Sequence, residues 1–352
     1  MDLAIVGSGS GNSLLTPFWD GKQVAIAESG VFGGTCLNVG CIPTKMFVRP
    51  AQLARTWQEA EKLGVQLPPG RADFAAIRDR IFARIDPISA SGLEYRQQAG
   101  NVTVLGEVQL LDERTLRTAD GTEIQAEQIV LAAGSRPALP DIEGIDLPGV
   151  HTSDTIMRIE QPRRLLVIGA GFIACEFASI FAGLGTEVTQ LVRGEKLLKY
   201  LDDEICEAFN SQVDWDVQLH AEPQSIAAGP EGLSVRTGAG TFTADAVLVA
   251  TGRRPNTEFT APAGLDLHPD GRLQVDQFQR VLRGGEPVAG LYALGGISGE
   301  QQLKHAANHQ ARVVAHNLEH PDDLREVSEA AIPAAVFTHP EIAHIGLTEA
   351  QA

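Results

Sequence analysis

Long apolar runs are missing from this chain of 352 residues. None approaches the roughly 20 residues that a membrane-spanning helix needs. The opening Met1-Asp2-Leu3-Ala4-Ile5-Val6-Gly7 also lacks the positively charged lead of a secretory signal and runs straight into a strand-like segment. A cytoplasmic location is expected. Basic residues are scarce: 28 Lys and Arg stand against 45 Asp and Glu, a net charge of −17, and they form no block. Such a chain repels nucleic acid and anionic lipid surfaces, so neither is expected as a partner. Cysteine is sparse as well, with four in all. A zinc site wants two ligand pairs at comparable spacing, and Cys175 and Cys206 are far apart in sequence, so no metal site is expected.

What is present is enough chain for two or more domains with sizeable cores. The other two cysteines stand together in Gly33-Gly34-Thr35-Cys36-Leu37-Asn38-Val39-Gly40-Cys41-Ile42-Pro43-Thr44-Lys45. Pro favours the opening of a helix, where its fixed φ fits and its missing N–H costs nothing. Pro43 therefore places Cys41 at the start of a helix running from about Ile42 to Leu63. The positive end of that helix faces the sulfur and favours the reactive thiolate. A structural disulfide is disfavoured without signs of secretion, because intracellular disulfides are usually catalytic or redox-sensing. Cys36 and Cys41 read as a redox-active dithiol.

Two strand–glycine-turn–helix units surround that stretch. Leu3–Val6 leads into Gly7-Ser8-Gly9-Ser10-Gly11-Asn12. Gly7 makes the turn, Gly9 lets the backbone approach a pyrophosphate, and the N-terminus of the following helix holds its charge. The third glycine position of the fingerprint holds Asn12, a departure that bears on helix–strand packing rather than on the phosphate site. A second strand, Gln23 to Ala27, ends in Glu28, placed to take a ribose hydroxyl. The second unit has a strand Arg164 to Ile168, the turn Gly169-Ala170-Gly171-Phe172-Ile173-Ala174, and a helix Cys175 to Leu184. Its next strand, Glu187 to Val192, ends without a carboxylate and is followed by Arg193 and Lys199. An NAD site wants a carboxylate there and a 2′-phosphate wants Arg, so NADPH is favoured. Two dinucleotide units in one chain imply electron or hydride transfer between their ligands.

Elsewhere, residues 50 to 100 read as helical, with loops at Leu67-Pro68-Pro69-Gly70 and at Pro87. Asn101 to Leu110 and Arg114 to Arg117 read as strands of a small meander. Gln128 to Ala132 is an apolar strand closed by Ala133-Gly134-Ser135-Arg136-Pro137, and Val247 to Ala250 with Thr251-Gly252-Arg253-Arg254-Pro255 repeats the pattern. Glu176 sits among apolar neighbours, where a charge usually has a partner. Cys175 reads as a small buried hydrophobe and Cys206 as incidental.

The dithiol stretch and the paired glycine turns resemble the flavin-dependent pyridine nucleotide–disulfide oxidoreductases. That family includes glutathione, mercuric and mycothione reductases and dihydrolipoamide dehydrogenase. The resemblance runs from Leu3 to the last residue. Gly7 to Ser13, Phe32 to Val48, and His151-Thr152-Ser153-Asp154-Thr155-Ile156-Met157-Arg158-Ile159 look nearest to its mycothione reductase branch. It implies an α/β fold with two Rossmann-like, three-layer dinucleotide-binding domains, for FAD and NAD(P), and a truncated C-terminal α+β dimerisation domain. The expected boundaries are 1–147 and 256–325 for FAD, 148–255 for NAD(P)H, and 326–352 for the start of the dimerisation domain.

The same resemblance implies site roles. Cys36 would attack the substrate disulfide and Cys41 would face the flavin, with Lys45 and Glu176 paired beside the ring. Gly7, Gly9, Ser10, Gly11, Asn12, Glu28, Ser29, Gly34, Thr35, Gly106, Ala133, Gly134, Gly296, Leu303, Lys304 and His305 would border FAD. Gly169, Gly171, Phe172, Ile173, Arg193, Lys199, Ala250, Gly252 and Arg253 would serve the nucleotide sites around NADPH. Gly296 stands where the family has an Asp that holds the ribityl chain, which predicts FAD retention weaker by about 1.5–3 kcal/mol. His305 and His309 read as structural. The segment Ile332 to Glu349 resembles the first strand and turn of the interface domain, whose remainder would carry an acid–base His beyond residue 352. The implied activity is an NADPH-dependent reductase of a small-molecule disulfide, working as a homodimer. The alternatives are a dihydrolipoamide dehydrogenase-type enzyme using NAD and a catalytically incomplete FAD-binding protein.

Overall fold

The structure, a computed structural model, describes residues 1–352. Its helices are α1 (Gly34–Asn38), α2 (Cys41–Lys62), α3 (Phe74–Gln98), α4 (Phe172–Gly183), α5 (Asp203–Asn210) and α6 (Lys304–Glu319). The chain forms two compact units: Met1–Asn38, Ile85–Arg136 and Arg253–Ile332 make the first, and Val39–Arg84, Pro137–Gly252 and Pro333–Ala352 the second. No helix is long and apolar enough to cross a membrane.

The first unit is built on a six-stranded sheet. Its strands β1 (Leu3–Val6), β2 (Val24–Ala27) and β3 (Val102–Leu105) lie side by side, and Gln128–Leu131 flanks β1 on the other side, followed by Glu286–Ala293 and Arg280–Arg283. All pairings are parallel except the outermost hairpin, Arg280–Arg283 with Glu286–Ala293. Both β1 and β2 are buried on both faces, as parallel strands covered on two sides must be. Ala4, Val6, Ala25 and Ala27 enter one core, and Leu3, Ile5, Val24 and Ile26 enter the other. A separate three-stranded meander uses Val108–Leu110, Thr115–Thr118 and Glu123–Gln125.

The second unit holds a five-stranded parallel sheet in the order Asp216–Gln218, Glu187–Leu191, Arg164–Ile168, Ala246–Val249, Val150–Thr152. On one side, Leu166, Ile168, Val247 and Val249 pack with Ile226, Leu233 and Val235 of an antiparallel meander. α4 is apolar nearly all round and buried from Ala174 to Phe181, and its Phe181 ring stacks on Phe74, itself 5.5 Å from Phe47. Arg55 is 3% exposed, and its guanidinium donates two bonds of 2.7 Å to Asp214 and one of 2.8 Å to the Ser179 carbonyl. The closing hairpin pairs Ala334–Val336 with Ile342–His344.

Several expectations change. The first glycine turn is followed by a 3-10 turn, Gly11–Leu14, rather than an α-helix. Pro17 explains it: the residue before a proline is driven out of the helical region, and Thr16 is extended, at φ −82° and ψ 171°. The close packing against β1 falls on Gly11 and not on position 12, since a Cβ there would lie 2.7 Å from Ile5 and 2.9 Å from Ala132. Residues 102–105 belong to the main sheet and not to the meander, because β2 offers a parallel edge that Val102–Leu105 completes. Pro87 lies inside α3, where Ile81, Ile85 and Ser89, spaced four apart, are buried along one face and offset its lost hydrogen bond. α4 begins at Phe172, three residues earlier than expected, so Gly171 becomes its cap.

Gly7 sits at φ +109°, and a Cβ on it would lie 2.3 Å from the Ala132 carbonyl oxygen. Gly7→Ala should therefore destabilise the protein by about 2–4 kcal/mol, through backbone strain plus overpacking. Urea denaturation followed by far-ultraviolet circular dichroism checks this.

Candidate active site

The first glycine turn is held by its neighbours. Ser8 is buried, and its N–H and hydroxyl both donate to Glu28 Oε2, at 3.0 and 2.6 Å. Glu28 Oε1 accepts from the Gly30 N–H at 2.9 Å, and Ser8 Oγ accepts from the Gly33 N–H at 2.8 Å. Each carboxylate oxygen can accept two bonds, so Glu28 keeps room for a further hydroxyl. Gly9 and Gly34 meet backbone to backbone, since a Cβ on Gly34 would lie 2.7 Å from the Gly9 Cα. The Asn12 side chain accepts from Arg96 Nε at 2.8 Å and so is engaged away from the turn. Ser10 Oγ accepts a 2.9 Å bond from Lys304 Nζ and donates to Asn308 Oδ1 at 3.1 Å. Ser29 lies exposed in the bend after Glu28.

Cys36 lies half-buried on α1, with Thr35 exposed beside it. Asn38, a residue the sequence did not single out, fixes this loop: its buried amide donates to the carbonyls of Phe32 and Gly34 at 3.0 and 3.1 Å. Cys41 is exposed at the first residue of α2, capped by Gly40. Pro43 is the third residue of that helix, where its missing N–H leaves no intrahelical bond unmade. Cys41 therefore stands at the N-terminal end of α2, whose first-turn amides have no intrahelical partner.

One turn further on, Lys45 Nζ reaches both oxygens of Glu176, at 2.8 and 2.7 Å. Glu176 is 4% exposed, and it also accepts the backbone N–H of Phe337 at 3.0 Å. The Phe337 ring lies under the Lys45 ammonium, 4.5 Å from its centroid. The partner that an apolar helix demanded for Glu176 is present. Phe337 had no signal in the sequence, because its contact runs through the backbone.

In the second glycine turn Gly169 repeats the device of Gly7: at φ +135°, a Cβ would lie 2.3 Å from the Ala250 carbonyl oxygen. Gly171, Phe172 and Ile173 open α4, whose cap makes no side-chain hydrogen bond and so leaves its first amides available to an anion. Gln190, fully buried, ties the turn down by donating to the Gly169 carbonyl at 2.8 Å while accepting from Trp215 Nε1 at 2.8 Å. Beyond the strand, Val192 is buried and Arg193 and Lys199 are exposed. Arg193 lies 3.6 Å from Glu222, a carboxylate the sequence reading did not weigh.

The return turns carry the remaining residues. Asn256 bonds the carbonyls of Ala133 and Gly134, at 2.8 and 3.0 Å. Arg253 Nε donates to Ser135 Oγ at 2.9 Å. A Cβ on Gly296 would come within 3.0 Å of that hydroxyl. Leu303 caps α6, with Lys304 half-buried and His305 exposed at its start. Gly106, Gly134, Gly171 and Gly252 border open space, for a Cβ on any of them would meet nothing within 4 Å. In each unit a glycine closed against backbone, Gly7 or Gly169, ends a parallel strand and other glycines border open space, a combination that fits a bound dinucleotide.

Two outcomes follow from this geometry. Lys45→Met strips the cation from a buried carboxylate and should cost about 2 kcal/mol of stability, below the range for a fully buried pair because Lys45 is partly exposed; chemical denaturation checks it. Burial pushes the Cys175 thiol up to about 12. Its thiol form therefore persists far above neutral pH, and mass spectrometry after iodoacetamide at pH 8 should find Cys175 unmodified in the native protein and modified in urea.

Residues 1–311 match the family described as pyridine nucleotide-disulphide oxidoreductase. Mycothione reductase of Mycobacterium tuberculosis is 45% identical over 370 residues, covering all of this chain and 79% of that protein. Glutathione reductase of Burkholderia cepacia is 33% identical over 366 residues, covering 78% of that protein. Among solved structures, the HOCl-induced flavoprotein disulfide reductase RclA from Escherichia coli superposes with a TM-score of 0.87 at 27% identity, over 100% of this chain and 78% of its own. With the glycine turns and the dithiol inside the matched span, the chain belongs to the pyridine nucleotide-disulphide oxidoreductases, FAD-dependent enzymes acting on disulfides.

Proposed function

We propose that this chain is an NADPH-dependent flavoprotein reductase of a low-molecular-weight disulfide, mycothione, acting in the cytoplasm as a homodimer. The observation that carries the reading is the buried Glu176–Lys45 pair one turn after Cys41. A charge pair is costly to bury in an apolar helix packing, and here it is held by two short bonds and the Phe337 N–H, one turn from a cysteine at a helix start. The likeness to mycothione reductase supports the substrate class.

On this reading residues 1–147 and 256–325 hold FAD, through Gly7, Gly9, Ser10, Gly11, Glu28, Gly106 and Gly134. Residues 148–255 hold the nicotinamide nucleotide, through Gly169, Gly171 and the first amides of α4. FAD, when bound there, would supply two-electron chemistry between a nicotinamide and a disulfide. Lys45 and Glu176 set the field beside the ring. Reduction opens the Cys36–Cys41 bond to two thiols. The Cys36 thiolate attacks one sulfur of the substrate, forming a mixed disulfide and releasing the first thiol once a proton is supplied. Cys41, as its thiolate, attacks the Cys36 sulfur, restores the internal disulfide and expels the second product as a thiolate, which takes up a proton. Buried Val192 and exposed Arg193 and Lys199 support a 2′-phosphate rather than a bare ribose.

Anaerobic addition of NADPH to the oxidised flavoprotein should bleach the flavin and generate a pair of thiols. Cys36→Ser should keep flavin reduction and lose turnover of mycothione by at least about a thousandfold. Normal turnover in that variant would refute the roles of the two cysteines. Arg193→Leu should lower kcat/KM for NADPH about tenfold while leaving NADH nearly unchanged. Equal use of both nucleotides by the parent protein would favour a dihydrolipoamide dehydrogenase-type enzyme instead.

A further inference from the structure

The first glycine turn lacks what usually neutralises a diphosphate. A dinucleotide turn ordinarily delivers its ligand to the N-terminus of a long helix, whose aligned peptides supply about half a positive charge. Here only a four-residue 3-10 turn, Gly11–Leu14, follows, and Pro17 opens a second, three-residue one. A cavity of about 470 Å³, edged by Ser13, Thr16, Asn308 and Arg312, stands beside that shortened segment. Yet a full charge is present at the turn: Lys304 Nζ donates to Ser10 Oγ at 2.9 Å. Ser10 is buried, and its own proton goes to Asn308, one turn along the same helix. Lys304 is also the first residue of α6, where a cation opposes the helix dipole. A cation placed against its own helix dipole and aimed at a glycine turn points to a ligand rather than a fold requirement.

We infer that Lys304 is the diphosphate-binding cation of the first nucleotide site, supplying from α6 the charge that the helix after Gly7–Gly11 does not. The inference rests on the FAD reading of that turn and adds to it a residue and a chemical group. When a diphosphate is bound, the ammonium keeps Ser10 as one partner and turns a second N–H to the phosphate oxygens. Asn308 holds the Ser10 hydroxyl so that its lone pairs face the ammonium. Lys304 thereby acts on the diphosphate and not on the flavin ring.

The test uses the flavin-free protein, titrated with FAD and separately with ADP, which carries the diphosphate without the flavin. Lys304→Met should weaken both ligands by about tenfold to a hundredfold, the range for one charge-assisted hydrogen bond. Its affinity should also fall less steeply with added salt than that of the parent. Lys304→Arg should recover most of the loss, and the melting temperature of the ligand-free protein should be unchanged in both variants. Unaltered FAD and ADP binding in Lys304→Met overturns the inference. Weakened FAD with normal ADP also overturns it, because Lys304 would then act at the ring. A lowered melting temperature that tracks the lost affinity overturns it in favour of a packing role. A parent protein that takes up neither ligand refutes the FAD reading of the turn, and the inference with it.

Discussion

The structure depends on two places where backbone meets backbone at the end of a parallel strand. At Gly7 and again at Gly169, the space of a side chain is already filled by a carbonyl oxygen of the neighbouring strand end, Ala132 in one unit and Ala250 in the other. Each contact lets a strand end turn sharply while its sheet stays closely packed. Around each, a polar side chain finishes the work. Glu28 gathers the amides and hydroxyl of the first turn, and Gln190 holds the carbonyl of the second. The repetition explains how one chain makes two similar beds from unrelated supporting residues.

Where the two beds differ, the difference is electrostatic. The second opens a twelve-residue helix whose start carries no side-chain cap, so its first amides are available to an anion. The first has lost that helix to Pro17 and carries a lysine at the corresponding place. Charge from a dipole and charge from a side chain are interchangeable in kind but not in cost. A dipole comes with the fold, whereas an ammonium at a helix start works against the dipole of its own helix and is held here by Ser10.

Much of this was legible in the sequence because it is local. The apolar runs at Leu3–Val6 and Arg164–Ile168, Gly7 and Gly169 after them, and Pro43 behind Cys41 each state their geometry within a few residues. The demand of Glu176 for a partner was legible too, since a carboxylate among apolar neighbours cannot stand alone. What escaped were choices settled by distant contacts. The packing glycine proved to be Gly11, because Ile5 and Ala132 decide which position has no room. Pro87 was accommodated by a buried helix face, and Val102–Leu105 joined a sheet edge that no short window reveals. Gln190, Asn308 and Phe337 act on groups far along the chain, and Asn38 acts on backbone carbonyls four and six residues back, so none of them shows in a pattern of side-chain types.

Gly296 shows how a departure from a family pattern acquires a physical meaning. In sequence it reads as the loss of a carboxylate that would hold the ribityl chain. In the fold, a side chain there would begin 3.0 Å from Ser135 Oγ, closer than ordinary contact. That hydroxyl is not idle: it accepts from Arg253 and donates to Gln302 Oε1 at 3.2 Å. Restoring a carboxylate at 296 would push against a hydroxyl already engaged on two sides and place a new acceptor beside Arg253. A side chain at 296 would therefore require Ser135 to give way by a few tenths of an ångström, and the glycine leaves its hydroxyl undisturbed between Arg253 and Gln302.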